Sequence, residues 1–64
     1  MTPGQVYSES FERERDARML RDVLEAHEKQ KGFYYRGHLV SVVRLESYRE
    51  RDIDKVQVWF KVER

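Results

Sequence analysis

Apolar and polar positions alternate strictly along Val56-Gln57-Val58-Trp59-Phe60-Lys61-Val62, with Val56, Val58, Phe60 and Val62 on one side and Gln57, Trp59 and Lys61 on the other. A period of two predicts a strand with one buried face. Earlier in the chain the period changes. Over residues 9–31, Ala17, Leu20, Val23, Leu24 and His27 fall on one stripe of a 3.6-residue wheel, with Met19 and Ala26 at its margins. This predicts an amphipathic helix whose other face is charged. Glu9 and Arg13, Glu14 and Arg18, and Glu25 and Lys29 stand four apart with the acid first, and each such pair adds about 0.2–0.5 kcal/mol to a helix. Ser8 or Ser10 is the expected N-cap. Gly32, following Lys29 and Lys31, is the expected stop.

Residues 33–63 read as an antiparallel meander of three strands. Phe33-Tyr34-Tyr35 is a short first strand, and Arg36-Gly37 is a tight turn. His38 to Glu46 is the second strand, and Ser47 to Asp54 a polar connection that holds Ile53. Lys55 to Val62 is the third. Residues 1–8 read as an irregular arm. Thr2-Pro3-Gly4-Gln5 also fits a capping box with proline at the first helical position. Gly4, and a Phe11 lying opposite the apolar stripe, weigh against a helix that begins there. The expected fold is α+β, one N-terminal amphipathic helix packed on the meander, in a single domain over residues 1–64.

The second strand is apolar on both sides: Leu39, Val43 and Leu45 point one way, Val40 and Val42 the other. Trp59 gives its neighbour the same two-sidedness. One helix covers one face, so the other is expected to be an interface. A β-bulge near Val42-Val43 would switch faces midway.

Size sharpens this expectation. A domain of about 60 residues buries only about 60% of the surface its unfolded chain exposes, and chains below roughly 70–80 residues often need a staple. Cysteine is absent, which excludes disulfides and thiolate zinc sites. Helix packing, self-association or a partner remains. Thirteen basic residues against twelve acidic leave a net charge of +1. That balance argues against a strongly basic nucleic-acid binder and an acidic nucleic-acid mimic alike. Arginine outnumbers lysine nine to four, which suits bidentate pairing but also follows from coding bias. No run approaches the roughly 20 apolar residues of a membrane span. The start, Met1 to Gln5, has no basic-then-apolar pattern, so a cytoplasmic protein without membrane contact is expected.

Catalytic chemistry has little to stand on. The only histidines are His27 and His38, and no nucleophile elbow, phosphate loop or metalloprotease motif occurs. Neither these histidines nor Glu28 and Glu46 match a metal-ligand spacing, and no cofactor motif is found. Asp52 and Asp54 flank Ile53 in the manner of turn residues. The arginines of the helix, Arg13, Arg15, Arg18 and Arg21, are interleaved with Glu12, Glu14, Asp16 and Asp22, so this face is expected to be solvated and not to bind a duplex.

The leading expectation is a small non-catalytic interaction module. It would be an accessory, regulatory or phage-type inhibitor protein that self-associates or binds a partner through the second sheet face. Tyr34, Val42 and Trp59 are its expected anchors. Arg36, Arg44 and Lys61 share the same expected surface. Tyr48 and Arg49 are the contacts expected at the polar tip. The alternative is a single-stranded nucleic-acid binder that stacks bases on Tyr34 and Trp59 and holds phosphate with Arg36, Arg44 and Lys61.

Overall fold

A computed structural model describes residues 2–64; Met1, the first residue of the expected arm, lies outside them. The elements in chain order are β1 (Val6–Glu12), α1 (Ala17–Lys29), β2 (Phe33–Tyr35), β3 (His38–Glu50) and β4 (Ile53–Val62). The architecture is α+β, as the pattern predicts, but the sheet has four antiparallel strands in the order β1-β4-β3-β2.

The additional strand comes from the segment assigned to the arm and the start of the helix. Thr2-Pro3-Gly4-Gln5 is a turn. The Gln5 amide donates to the Thr2 carbonyl at 3.0 Å, and Gly4 has φ +88°. Proline followed by a positive-φ glycine is the signature of a type II turn. It delivers the chain into β1, which pairs with β4 from Val6↔Lys61 to Glu12↔Lys55. Helical ion pairs worth a few tenths of a kcal/mol each lose here to burial of Phe11 and Tyr7 against Phe60. The helix therefore begins only at Ala17. Its N-cap is Asp16, not Ser8 or Ser10, and the Asp16 side chain makes no bond to the first turn. The Asp16 carboxylate accepts instead from the Glu12 amide at 2.9 Å and from Arg15 at 2.8 Å, which pins the end of β1 to the start of α1.

The helix ends before Gly32. Gln30 takes the left-handed conformation, and the Lys31 amide donates to the Ala26 carbonyl at 3.0 Å, a Schellman-type closure. Gly32 serves close approach: a Cβ there would lie 3.1 Å from Leu39 Cδ1 and 3.3 Å from the Val40 carbonyl oxygen.

The β2–β3 hairpin turns at Arg36-Gly37, as predicted. The expected long connection between β3 and β4 is in fact a two-residue turn at Arg51-Asp52, closed by Glu50↔Ile53. All four turn residues have positive φ, the backbone of type I′ turns. Ser47 to Glu50 and Ile53 to Asp54 are strand.

Between Val42 and Arg44 the register of β3 shifts by one. Val43 is the inserted residue of a bulge. It explains the two-sided apolar pattern of β3, because Val40 and Val42 before the bulge and Leu45 after it share one face. That face carries the core. Phe11, Leu20, Val23, Ala26, Val40, Val42, Val56, Val58, Phe60 and Val62 are buried in it. Phe60, fully buried, is ringed by Tyr35 at 4.9 Å, Tyr7 at 5.4 Å, Phe33 at 6.2 Å and Phe11 at 6.4 Å between ring centroids.

The sheet curls around Phe60 until its two edge strands meet. Tyr35 of β2 donates its hydroxyl to Glu9 of β1, and Arg36 reaches the same carboxylate at 3.5 Å. Burial, then the bond to Glu9 and its negative charge, push the Tyr35 hydroxyl up to about 12. Burial and the Glu9 charge raise Tyr7 as well. The helix covers the part of the core face that this clasp leaves open. No helix among the described residues is long and apolar enough to cross a membrane.

Candidate interaction surfaces

The face of the sheet turned away from α1 is polar at its centre, with Val6 and Ile53 exposed at its ends. Ser8, Ser10, Glu12, Ser41, Arg44, Glu46, Tyr48, Lys55, Gln57, Trp59 and Lys61 share it by register. Trp59 is half-buried there because the Arg44 guanidinium lies over its ring, 4.6 Å from the centroid. Arg44 also pairs with Glu46 at 2.7 Å. Around them Gln57 donates to Ser8 at 2.9 Å, Ser41 donates to Glu63 at 2.8 Å, and Ser10 bonds Tyr48. The bases Arg44, Lys55 and Lys61 are balanced by Glu12, Glu46 and Glu63.

The expected site residues separate accordingly. Arg44, Trp59, Tyr48 and Lys61 stand on this outer face. Tyr34 stands there too, 73% exposed. It pairs with Leu39, four paired positions from Arg44 once the bulge is discounted, or about 13 Å at ~3.3 Å per residue. Tyr34 and Trp59 therefore form no common platform. Val42 is no anchor on an open face; the bulge leaves it on the core side, 8% exposed. Arg36 folds toward the core face, over the Tyr35 ring at 5.4 Å. Tyr48 and Arg49 belong to β3 and not to a loop, with Arg49 on the helix side, 3.3 Å from Asp54. The second face is thus not the large apolar surface that the valine pattern predicts.

A different surface is open. β2 pairs only with His38 to Val40, so the rest of β3 has β4 on one edge and no strand on the other. The Glu50↔Ile53 pair closes a two-residue turn and exchanges bonds with β4. Alternation then directs the backbone groups of Tyr48, Glu46 and Arg44 to β4, and those of Leu45, Ser47 and Arg49 outward. Among the described residues nothing bonds to these outward groups.

Beside this edge runs a groove of about 280 Å³ between α1 and β3, walled by Ala17, Leu20, Leu24, Leu45 and Val56, with Arg13 and Arg21 at its rim. From the rim Arg13 donates to Ser47 at 2.9 Å. Leu24 is 47% exposed along the groove. Leu24 belongs to the stripe that the sequence pattern predicts to be buried. The helix is rotated so that Leu20, Val23 and Ala26 face the core and Leu24 faces the edge of β3. The sequence carries a signal for this site: a three-residue strand cannot pair the whole of a much longer neighbour.

His27 is exposed and His38 half-buried, and no cluster of three or more His, Asp or Glu side chains is placed to hold a metal among the described residues. No protein-family model matches this chain, and neither a curated protein nor a solved structure is significantly similar to it.

Proposed function

We propose that this chain is a small, non-catalytic, cytoplasmic interaction module, accessory or regulatory in role, that docks a strand on the open edge of β3. One observation carries the reading: the unbonded outward groups of Leu45, Ser47 and Arg49 lie beside an apolar groove. Strand addition uses such an edge for affinity and the adjoining pocket for selectivity. Native proteins blunt free edges with lysine, proline, bulges or inward-pointing charges. From Val42 to Glu50 this edge has the bulge at Val43 and Arg49 on its inner face but neither lysine nor proline, and past the bulge its outward groups stay in register. A photo-crosslinking residue in place of Leu24, incorporated in the cell of origin, is expected to give a defined protein adduct. The same residue at Trp59 is expected to give none. Adducts from Trp59 alone would overturn the reading.

A second reading, single-stranded nucleic-acid binding, has one observation in its favour: the Arg44–Trp59 stack on an uncovered sheet face. Alternating acids oppose it. It requires affinity for mixed single-stranded RNA that falls with salt and is lost in Trp59→Ala.

A further inference from the structure

We infer that the strand docked on β3 is β3 of a second copy of this chain, antiparallel about a two-fold axis at Ser47. The inference rests on the proposed use of this edge and adds its occupant. Two-fold pairing of a strand with itself places residue i opposite a fixed partner, and the charges along β3 select which axis is permitted. An axis at Arg44 sets Arg44 against its own copy. One at Glu46 does the same to that carboxylate. One at Tyr48 sets Glu46 against Glu50 of the second copy, twice by symmetry. Like charges directly opposite are destabilising.

An axis at Leu45 or Ser47 is free of this conflict. About Leu45, Ser47 would have to pair with Val43, inside the bulge, where the ladder is disrupted. About Ser47, the outward-facing residues pair only with one another: Leu45 with Arg49 of the second copy, Ser47 with Ser47, and Arg49 with Leu45. Each of these pairs exchanges two backbone bonds. On the outer face Arg44 then meets Glu50 of the second copy, and Glu46 meets Tyr48. On the inner face the aliphatic stem of Arg49 from the second copy lies along half-buried Leu45 and exposed Leu24. The two sheets become one continuous sheet with both helices on the same side.

The full chain tests this by sedimentation equilibrium, with circular dichroism as the check on folding. Wild type is expected to be a dimer at roughly 100 μM. Ser47→Pro removes an amide that faces outward and spends no bond to β4, so it is expected to leave the fold intact and weaken association at least about tenfold. Arg44→Glu is expected to weaken it also, and Arg44→Glu with Glu50→Arg to restore it. Trp59→Ala is expected to leave the dimer unchanged. A wild-type monomer at that concentration would overturn the inference, as would a dimer insensitive to Ser47→Pro or an unrescued charge swap. A monomer that still cross-links a different protein through Leu24 overturns self-pairing alone. A monomer without any adduct at Leu24 removes the docking reading with it.

Discussion

At the scale of single residues, the turn at Arg51-Asp52 is where backbone and sequence agree least. Both positions have positive φ, Arg51 at +50° and Asp52 at +63°, a conformation that glycine adopts freely and that L-residues other than asparagine and aspartate seldom adopt. Asp52→Gly relieves one of them without touching the core, because the turn is exposed. Weighed against the added freedom of the unfolded chain, the substitution is expected to stabilise by about 0.5 kcal/mol, read as a higher urea midpoint at unchanged slope. The same mismatch hid the turn in the sequence. Arg36-Gly37 carries a glycine and reads as a tight turn at once. Arg51-Asp52 sits inside Tyr48-Arg49-Glu50-Arg51-Asp52, a run so polar that it reads as a loop.

At the scale of elements, the bulge at Val43 decides which face of the sheet is apolar. Deleting Val43 would bring β3 and β4 into continuous register past Phe60. Val42, Arg44 and Leu45 would stay opposite Phe60, Trp59 and Val58, so each side chain keeps its face. The deletion is expected to preserve cooperative unfolding and near-ultraviolet dichroism. Loss of the cooperative transition would show that the local twist of the bulge, and not only the facing of the side chains, is needed to close the core.

Most of the elements are legible in the sequence. Alternation from Val56 to Val62 and the strand Phe33–Tyr35 correspond to structure nearly residue by residue, whereas of the predicted helical stripe Leu20 and Val23 are buried, Ala17, Leu24 and His27 are exposed, and Ala26 from its margin joins the core. Two features are not. β1 is masked by ion pairs at helical spacing, although Phe11 on the wrong side of the helical wheel betrays it. The bulge leaves a pattern, Val40, Val42, Val43, Leu45, that a strand apolar on both faces would equally produce. The expected docking face followed from that second ambiguity. The open edge of β3 depends on strand order, which no local period encodes.

At the scale of the whole molecule, the fold is closed by a polar clasp over an aromatic core. The Tyr35 hydroxyl is held at about 12 against an ordinary 10.0. A raised value means that the folded chain retains a proton the unfolded chain has lost. The resulting stability is complete below pH 10 and declines as pH rises toward 12. Wild type is therefore expected to lose more stability across this interval than Tyr35→Phe, read as the urea midpoint at each pH. At neutral pH the same substitution is expected to cost about 1 kcal/mol, the ordinary net value of one hydrogen bond. Equal decline of both proteins at high pH would assign the effect to other groups.

The pairing of β1 with β4 also sets a timetable. Val6 lies opposite Lys61, 55 positions later (61 − 6). At about 5–20 residues per second of synthesis, roughly 3–11 s separate the two. Through that interval Tyr7 and Phe11 have no strand to lie against, and Phe60, the residue they enclose, has not yet been made. Helix α1 and the β2–β3 hairpin form from local contacts, but neither can bury its apolar side alone. The chain therefore acquires its core in a single late event, after β4 has left the ribosome. Until then its protection from aggregation rests on the charges dispersed along it.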